Sequence, residues 1–150
     1  MKMSITFDGF EKLAAELDKQ GQELKPAVNE ALEETQKYIQ QNLEAATSVY
    51  QNGGKKGYAD GDMVNAIIKE PRIDWSGSVA SVKVGFSQQL NWKGFMHSIF
   101  VMYGVPAHGK FNKGYQKDAK VYNAIRGKKT RIEIEKIQKE VMEKYLKLGR

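Results

Sequence analysis

The stretch from Gln22 to Thr47 constrains the fold of this 150-residue chain more than any other. Mostly apolar residues recur there at steps of three and four, which is the spacing of one helix face: Leu24, Val28, Leu32, Thr35, Ile39, Leu43 and Ala46. Charged and amide side chains fill most other positions, so the opposite face should contact water. Pro26 is tolerated because it lies in the first turn. The pattern predicts one long amphipathic helix whose apolar stripe needs a cover.

Alternation of apolar and small or polar residues predicts the surface that covers this stripe. Ala80, Val82, Val84 and Phe86 are separated by Ser81, Lys83 and Gly85, which is typical of a half-buried strand. Further strands are predicted over 67–73 and 99–103, with a turn over 75–78, and residues 4–7 should form a short strand or a lead-in. Pro71 places part of the strand over 67–73 at an edge or a bulge, because proline cannot donate to the ladder.

Three further helices are expected, and together with the strands they define the fold class. Asp8 and Glu11 form a capping-box pattern that opens a short helix ending at Gly21, with inward residues Phe10, Leu13, Ala14 and Leu17. A short helix over 118–125 should stop at Gly127, and a second amphipathic helix should run from Thr130 to Leu148. We therefore expect an α+β fold: a small, mostly antiparallel sheet of three to five strands packed by a long N-terminal helix and a C-terminal helix.

The glycine-rich passage over 48–60 is long for a connection inside a compact domain, and it predicts a mobile binding or assembly loop. It is not a phosphate-binding loop, since Gly53 and Gly54 directly precede Lys55. Residues 60–67 should form a turn that leads into a short helical turn or a strand. We expect a single domain over 1–150, with the mobile loop at 48–60 and a basic insertion at 108–129.

The net charge of +6 conceals a separation along the chain. Residues 1–50 carry five basic and nine acidic side chains, whereas residues 101–150 carry thirteen basic and five acidic ones. Oppositely charged ends can be satisfied within the fold, between neighbouring copies, or by nucleic acid at the basic end. No apolar run approaches the ~18 residues that span a bilayer, so we expect no membrane segment and a protein that folds in a cytoplasm.

The side chains that carry chemistry are sparse. The chain has no cysteine, which excludes disulfides and thiol chemistry. The two histidines, His97 and His108, lack the spacing of a zinc site. Asp60 and Asp62 could share a metal, but such a pair is more often a cap or an Asx turn. We expect no catalytic residues, no metal and no cofactor, and a metal-dependent hydrolase at Asp60, Asp62 and His97 is the alternative that the sequence favours least.

A basic segment with interleaved aromatic residues leaves a second class open. Lysines between His108 and Lys129 alternate with Phe111, Tyr115 and Tyr122, which suits phosphate contacts with stacking. No sequence signature of a nucleic-acid-binding fold accompanies them. A non-specific nucleic-acid-binding module that uses this lysine-rich third is therefore the alternative function.

Two motifs and the order of the segments resemble a known family. A short acidic helix begins around Phe7, Asp8, Gly9, Phe10, Lys12 and Leu13. The run from His97 to Pro106 reads His-Ser-Ile-Phe-Val-Met-Tyr-Gly-Val-Pro, and it is followed by Lys117, Asp118, Lys120, Tyr122, Asn123, Ala124, Ile125 and Gly127. Over nearly its whole length the chain resembles the gene-product-ten-like head-to-tail proteins of long-tailed phages, relatives of tail-completion and tail-terminator proteins, in a subgroup from phages and prophages of Gram-positive bacteria.

The resemblance implies a structural virion protein rather than an enzyme. Copies would assemble in the host cytoplasm as a ring, with a hexamer as one candidate, at the head-proximal end of the tail. The partners implied are a second copy, the major tail protein and the neck or connector proteins, with DNA present only by proximity. The chain departs from the family at the turn over 60–67, at Met102 in place of a glutamate, and at the lysine-rich segment, so charge contacts of the wider family are not carried over.

Two candidate surfaces follow from these observations. The acidic outer face of the long helix, with the loop and turn after it, is the candidate subunit interface: Glu30, Glu33, Glu34, Tyr50, Lys55, Lys56, Asp62 and Met63. The candidate basic contact surface comprises Lys110, Lys113, Lys117, Lys120, Lys128 and Lys129. A head-to-tail ring needs two different surfaces that fit each other, and an acidic and a basic surface could supply them.

Overall fold

The computed structural model describes residues 2–6, 15, 24–51, 53, 58–77, 79–107, 109–110 and 113–148. In chain order its elements are β1 (Lys2–Thr6), α1 (Leu24–Ala46), a 3₁₀ turn (Ser48–Tyr50), α2 (Asp62–Asn65), β2 (Ile73–Ser76), β3 (Val79–Gly85), α3 (Trp92–Tyr103), α4 (Ala119–Arg126) and α5 (Lys128–Leu148). The predicted α+β class is confirmed. The short helix predicted between Asp8 and Gly21, with Phe10, Leu13, Ala14 and Leu17, lies outside the described residues.

The described sheet is antiparallel, with β3 between β1 and β2. Lys2 pairs with Gly85 at one end of the β1–β3 ladder, and Ile73 pairs with Val82 in the β2–β3 ladder. The predicted alternation in β3 is confirmed, because its inward side chains are buried, as is Phe86 directly after it. This row of buried side chains faces the core.

The structure corrects the strand predicted over 67–73 and part of the turn predicted over 75–78, in which Gly77 is a turn residue. Ile67 makes only an isolated bridge with Phe86, and the strand β2 begins at Ile73. Residues 69–72, which include Pro71, are exposed between them, and proline has no N–H to continue the ladder. Trp75 therefore belongs to β2, where its indole N–H donates to Asn29 Oδ1 of α1 at 3.0 Å.

The long helix α1 occupies the centre of the domain and packs against β3, α4 and α5. The predicted stripe is confirmed: its central apolar members are fully buried, and Leu24 and Ala46 at the two ends are half-buried. The hydroxyl of Thr35 is satisfied within the helix, since it donates to the carbonyl of Ala31 at 2.8 Å. Gln36 is also buried, and its amide donates to the carbonyl of Ile68 at 2.9 Å.

The C-terminal helix α5 runs antiparallel to α1. Gln138 donates to Thr35 near the middle of the pair, and Tyr145 donates to Glu30 near its end. Val141 and Met142 of α5 are buried in the same core. The amphipathic helix predicted from Thr130 to Leu148 is thus confirmed, and so is the short helix before it, which ends at Arg126.

The strand predicted over 99–103 is wrong, since these residues form the last turns of α3. Asn91 caps the start of α3 by accepting a hydrogen bond from the N–H of Gly94 at 2.8 Å. Gly104 ends the helix with a φ of 76°, in the left-handed region that glycine adopts without strain. The segment is apolar on several sides, so its sequence lacks the period that distinguishes a helix from a strand.

Gly94 sets how closely α2 and α3 approach. A Cβ added there would lie 1.9 Å from the backbone oxygen of Asp62, so only glycine fits. Of the two alternatives predicted after the turn at Asp60, a short helical turn or a strand, the structure shows the helical turn as α2, which packs directly on α3 through this contact. None of the helices in the described part of the chain is both long enough and apolar enough to cross a membrane.

Candidate functional site

The outer face of α1 carries an exposed acidic surface. Glu33 and Glu34 are exposed, and Glu44 two to three turns later is half-buried and accepts a hydrogen bond from Gln40 at 3.1 Å. We call Glu33, Glu34 and Glu44 the acidic face. Together with Lys37, Lys69 and Pro71 it lines a shallow groove of about 450 Å³, so the three carboxylates outnumber two lysines there. The inner side of α1 is committed to the core, so this face is what α1 offers to a partner.

Glu30 differs from the other predicted interface glutamates because it is bound within the chain. Its carboxylate accepts hydrogen bonds from Lys144 Nζ at 2.7 Å and from the hydroxyl of Tyr145 at 2.6 Å. These bonds, that from Lys144 first, hold the pKa of Glu30 below its usual value. Glu30 therefore connects α1 to α5; its side chain is half-buried, and its place in a subunit interface stays a prediction.

Tyr50 was also predicted as an interface residue, but the structure places it in the interior. Its side chain is fully buried, and its hydroxyl donates to Asp118 Oδ2 at 2.5 Å and lies 3.4 Å from the hydroxyl of Tyr115. Burial, followed by the hydrogen bond to Asp118, raises the pKa of Tyr50. The start of the predicted mobile loop is thus an ordered 3₁₀ turn attached to the N-terminal cap of α4.

The remaining predicted interface residues do not form one surface. Met63, a residue of α2, is fully buried, which corrects its prediction as an interface residue. Asp62 is half-buried in a polar cluster. Lys55 and Lys56 lie outside the described residues, so the mobility of the loop around them stays a prediction. Of the members of this set that the structure describes, Glu33 and Glu34 are the exposed ones.

The polar cluster joins the loop end, α2 and α3. Lys93 Nζ lies 2.8 Å from Asp60 Oδ2 and 2.9 Å from Asp62 Oδ2, and Asn91 donates to Asp62 Oδ1 at 3.1 Å. The hydrogen bond from Lys93 is the main cause that lowers the pKa of Asp60, and the two carboxylates raise the pKa of Lys93. These contacts therefore attach the end of the loop to α3. We call Asp60, Asp62, Asn91 and Lys93 the clasp.

His97 lies beside this clasp, so the structure does bring together the three residues of the hydrolase alternative. The imidazole packs on the ring of Tyr58 at a centroid distance of 4.6 Å. Its buried Nδ1 is 3.6 Å from Asp60 Oδ1, which is too long for a hydrogen bond. An ammonium group, that of Lys93, bridges the two carboxylates at the position a cation would take. No group of three potential metal ligands is assembled in the residues that the structure describes.

All six lysines of the predicted basic contact surface are exposed. They lie on the loop closed by the bridge between Val105 and Tyr115, at the start of α4, and at the start of α5: Lys110, Lys113, Lys117, Lys120, Lys128 and Lys129. Lys117 lies over the ring of Tyr122 at 4.1 Å, which is a cation–π distance.

The interpretation of 108–129 as an insertion is corrected in part. Residues 119–126 form α4, whose Val121, Ala124 and Ile125 are buried against the rest of the core. Asp118 caps this helix by accepting from the N–H of Lys120 at 2.9 Å. Lys120 of the basic surface thus belongs to a core helix, while His108 and Phe111 lie outside the described residues.

In the described part of the chain, the acidic face and the basic contact surface are not paired with each other. Among the described side chains, no ion pair connects Glu33, Glu34 or Glu44 with any of the six lysines. Both surfaces are therefore available for partners of opposite charge.

Comparison of the chain with protein-family models, with curated proteins and with solved structures finds no match in any of the three. The resemblance to phage tail-completion proteins therefore stays a prediction. The geometry and charge of the two surfaces are therefore the basis on which their roles are inferred.

Sequence reasoning missed several residues that organise these surfaces. Lys93 forms an ion pair with Asp60, and Asp118 accepts a hydrogen bond from the hydroxyl of Tyr50. Each is separated from its partner by tens of residues in the sequence. The capping position of Asp118, directly before a helical pattern, was a local signal for its backbone role only. Its contact with Tyr50 has no local sequence signal.

Proposed function

We propose that this protein is a structural phage virion protein at the head-proximal end of the tail, in a tail-terminator, tail-completion or head-tail-joining role. It acts by assembling into a ring and by docking to the neck and to the tail tube. The sequence resemblance supports the phage context, and the charged surfaces support the mode of assembly. The protein needs no catalytic residue or cofactor for this role.

One observation carries the mode of assembly: an acidic face and a basic contact surface are both exposed on one chain and are not paired with each other. A ring of identical subunits uses a heterologous interface, in which one surface of a protomer meets a different surface of the next. Charge complementarity orients such a contact and disfavours wrong registers. We infer that the acidic face of one copy contacts the basic contact surface of its neighbour.

The proposed domain architecture suits this arrangement. A small, mostly antiparallel sheet of three to five strands, packed by α1 and α5, takes up the apolar stripe of α1 in its own core. The outer side of α1 is then left as a straight, charged ridge, about 34 Å long for 23 residues. A ridge of this kind can be repeated around a ring without exposing core side chains.

A charge-exchange experiment tests the contact. One variant carries Glu33→Lys and Glu34→Lys, and a second carries Lys128→Glu and Lys129→Glu. Each alone should fail to form rings in sedimentation velocity and electron microscopy, because like charges then meet at every contact. An equimolar mixture should restore rings with an even number of subunits, since each reversed surface meets its reversed counterpart.

A matched control carries Glu135→Lys and Glu140→Lys on exposed positions of α5. It changes the net charge by the same amount and should assemble like the unmodified protein. Rings that form equally well in both reversed variants, or a mixture that shows no restoration, would count against the proposed contact.

The exposed lysines also favour a second candidate function, which is non-specific nucleic-acid binding. Six exposed lysines without ion pairs among the described residues would contact phosphates and release counterions. Binding to duplex DNA should then weaken steeply with salt, and the Lys128→Glu, Lys129→Glu variant should lower the affinity and the salt slope. A protein that forms rings and shows no salt-dependent DNA binding would exclude this candidate.

A further inference from the structure

A pocket of about 580 Å³ lies beside β3, where the segment before β2 leaves the sheet. Ile67 bridges Phe86, and the ladder resumes where Ile73 pairs with Val82. Five residues, 68–72, therefore stand opposite three, 83–85, and the longer segment bends away from β3 as in a bulge. We call the space between residues 67–72, Lys83 and the turn over 87–90 the bulge pocket.

Hydrogen bonds to the core fix the walls of the bulge pocket. The N–H of Ile68 donates to the carbonyl of Gly85 at 2.8 Å, and its own carbonyl accepts from the buried amide of Gln36 at 2.9 Å. At the other wall, the N–H of Ser87 donates to the carbonyl of Ala66 at 2.8 Å. The pocket is therefore formed before any ligand arrives, which is usual for sites that bind small molecules.

Cationic side chains outnumber carboxylates around the bulge pocket. Lys69, Arg72 and Lys83 line it, and Glu70 is the one carboxylate among its lining residues. Asp74 lies outside the lining, with its Oδ1 3.6 Å from Nε of Arg72, and both side chains of this pair are exposed to water that screens it. Even with Asp74 included, three cations stand against two anions, so the pocket favours an anion.

Lys83 is the cation that belongs to this pocket alone. Among the described side chains, neither Lys69 nor Lys83 forms an ion pair. Lys69 also lines the groove beside the acidic face, whereas Lys83 does not. Lys83 is exposed on the outer side of β3, because its neighbours Val82 and Val84 are buried in the core. No carboxylate of the acidic face therefore competes for its charge.

A buried hydroxyl and several apolar side chains complete the lining. Ser87 is 5% exposed, and its Oγ accepts from the N–H of Gln89 at 3.3 Å. Its hydroxyl donates to no acceptor in the described part of the chain, so this proton is available to a ligand oxygen. Ile67 and Pro71 supply apolar walls, and Leu90, which is 58% exposed, adds an apolar side chain that water still reaches. The lining thus suits a molecule with both an acidic group and an apolar part.

We propose that the bulge pocket binds a small organic anion, in which a phosphate, sulfonate or carboxylate group is joined to an apolar body. Lys83 and the hydroxyl of Ser87 hold the acidic group, and the apolar body covers Leu90. The volume lies within the range of about 300–1,000 Å³ that is typical of small-molecule sites. These three residues belong to neither charged surface of the ring contact, so the site does not depend on ring assembly.

Titration of the full chain with phenyl phosphate, followed by two-dimensional amide NMR, tests the site. This probe joins one acidic group to one apolar ring. Saturable shifts should appear at the amides of Ile68, Lys83 and Leu90, with a dissociation constant of about 1 mM or below. Inorganic phosphate should bind about tenfold more weakly, because it has no apolar body to bury, and phenol should give no saturable shifts.

Two variants and two matched controls assign the binding to this pocket. Lys83→Gln should weaken the binding of phenyl phosphate about fivefold, and Leu90→Ser should bring its affinity close to that of inorganic phosphate. Both positions are exposed, so the melting temperatures should stay unchanged. Lys136→Gln, which removes an exposed lysine of α5, and the Lys128→Glu, Lys129→Glu variant should bind phenyl phosphate like the unmodified protein.

Three results would overturn the proposal. One is the absence of saturable shifts with phenyl phosphate. Another is equal affinity for inorganic phosphate and phenyl phosphate, which would reduce the pocket to a patch of surface charge. The third is binding that survives Lys83→Gln and is lost in the Lys128→Glu, Lys129→Glu variant, because that pattern would assign the anion to the basic contact surface.

Discussion

Removal of the hydroxyl of Tyr50 tests whether this residue is internal or belongs to a subunit contact. The substitution Tyr50→Phe keeps the ring, which is fully buried, and removes only the oxygen that donates to Asp118 at 2.5 Å. No cavity of appreciable size is created, so the effect isolates the hydrogen bond. The carboxylate of Asp118, which is half-buried, then loses this donor.

The expected loss follows from the kind of bond. Hydrogen bonds to charged groups contribute about 1.5–3 kcal/mol to stability when one partner is removed. For a domain of this length, each kcal/mol lowers the melting temperature by about 2–4 °C, so we expect a decrease of about 3–12 °C. Tyr38→Phe is the matched control, since Tyr38 is half-buried and its hydroxyl makes no hydrogen bond among the described residues; we expect less than about 0.5 kcal/mol there.

The dependence on pH adds a second signature. The pKa of Tyr50 is raised in the folded protein, so the unfolded chain ionises first as the pH passes the ordinary tyrosine pKa of about 10. The stability that Tyr50 contributes is therefore fully present below pH 10 and is lost as the pH rises further. Urea unfolding followed by circular dichroism should show a constant difference between the two proteins from pH 6 to 9 that shrinks above pH 10.

Two results would refute this reasoning. A difference below about 0.5 kcal/mol at neutral pH would mean that the bond to Asp118 contributes nothing measurable. Unchanged stability combined with a loss of assembly would instead return Tyr50 to the interface in which the sequence placed it.

Three further predictions concern the packing of the helices. Gly94→Ala should destabilise the protein by about 3 kcal/mol or more in urea unfolding, because its Cβ would collide with backbone 1.9 Å away; a loss under 1 kcal/mol would show that α2 is not held there. Gln36→Ala should cost about 1–3 kcal/mol by the same measurement, since the carbonyl of Ile68 loses its buried donor, and a neutral effect would contradict that bond. Glu30→Gln should destabilise at pH 7, with a difference that is present above pH 4.5 and lost as the pH falls below it, because the pKa of Glu30 is lowered in the folded state; a difference independent of pH would argue against the bonds to Lys144 and Tyr145.

Elements with one buried face were the ones that sequence could predict. The stripe of α1 repeats at 3.6 residues, and β3 alternates with period two, because each element has one side in the core and one side in solvent. The same reasoning located α5, and Gly127 marked the end of α4. In these segments the local pattern and the tertiary environment agree.

Helix α3 could not be predicted because its pattern is reversed. Its inner side carries glycine and serine, and its outer side carries tryptophan, methionine and isoleucine, so apolar residues occur in nearly every position. A short, nearly continuous apolar run is equally typical of a buried strand. The close approach of α2 at Gly94 resolves the ambiguity, and that approach is a tertiary contact with no signature in the local sequence.

The candidate surfaces were predicted only where a residue's role is decided within its own helix. Glu33 and Glu34 are exposed because their positions on α1 point away from the stripe. Glu30 occupies a similar position, but Lys144 and Tyr145 reach it from α5, more than a hundred residues later. The polar residues of the loop predicted that Tyr50 would be on the surface. Tyr50 is buried instead, and its hydroxyl donates to Asp118.

The proposed contact between the charged faces is heterologous and repeats around a ring. Salt should weaken this contact, because exposed charges are screened at high ionic strength. Sedimentation velocity at low and high salt would therefore test it.

Electron microscopy of tail tubes incubated with the purified protein tests the central claim most directly. The tubes would be assembled from the major tail protein of the same phage, and the protein would be added at increasing ratios. The proposed function predicts closed rings, each bound at one end of a tube, and tubes whose length stops increasing once the rings are present. A protein that stays monomeric, binds no tube end and leaves the tube lengths unchanged would contradict it.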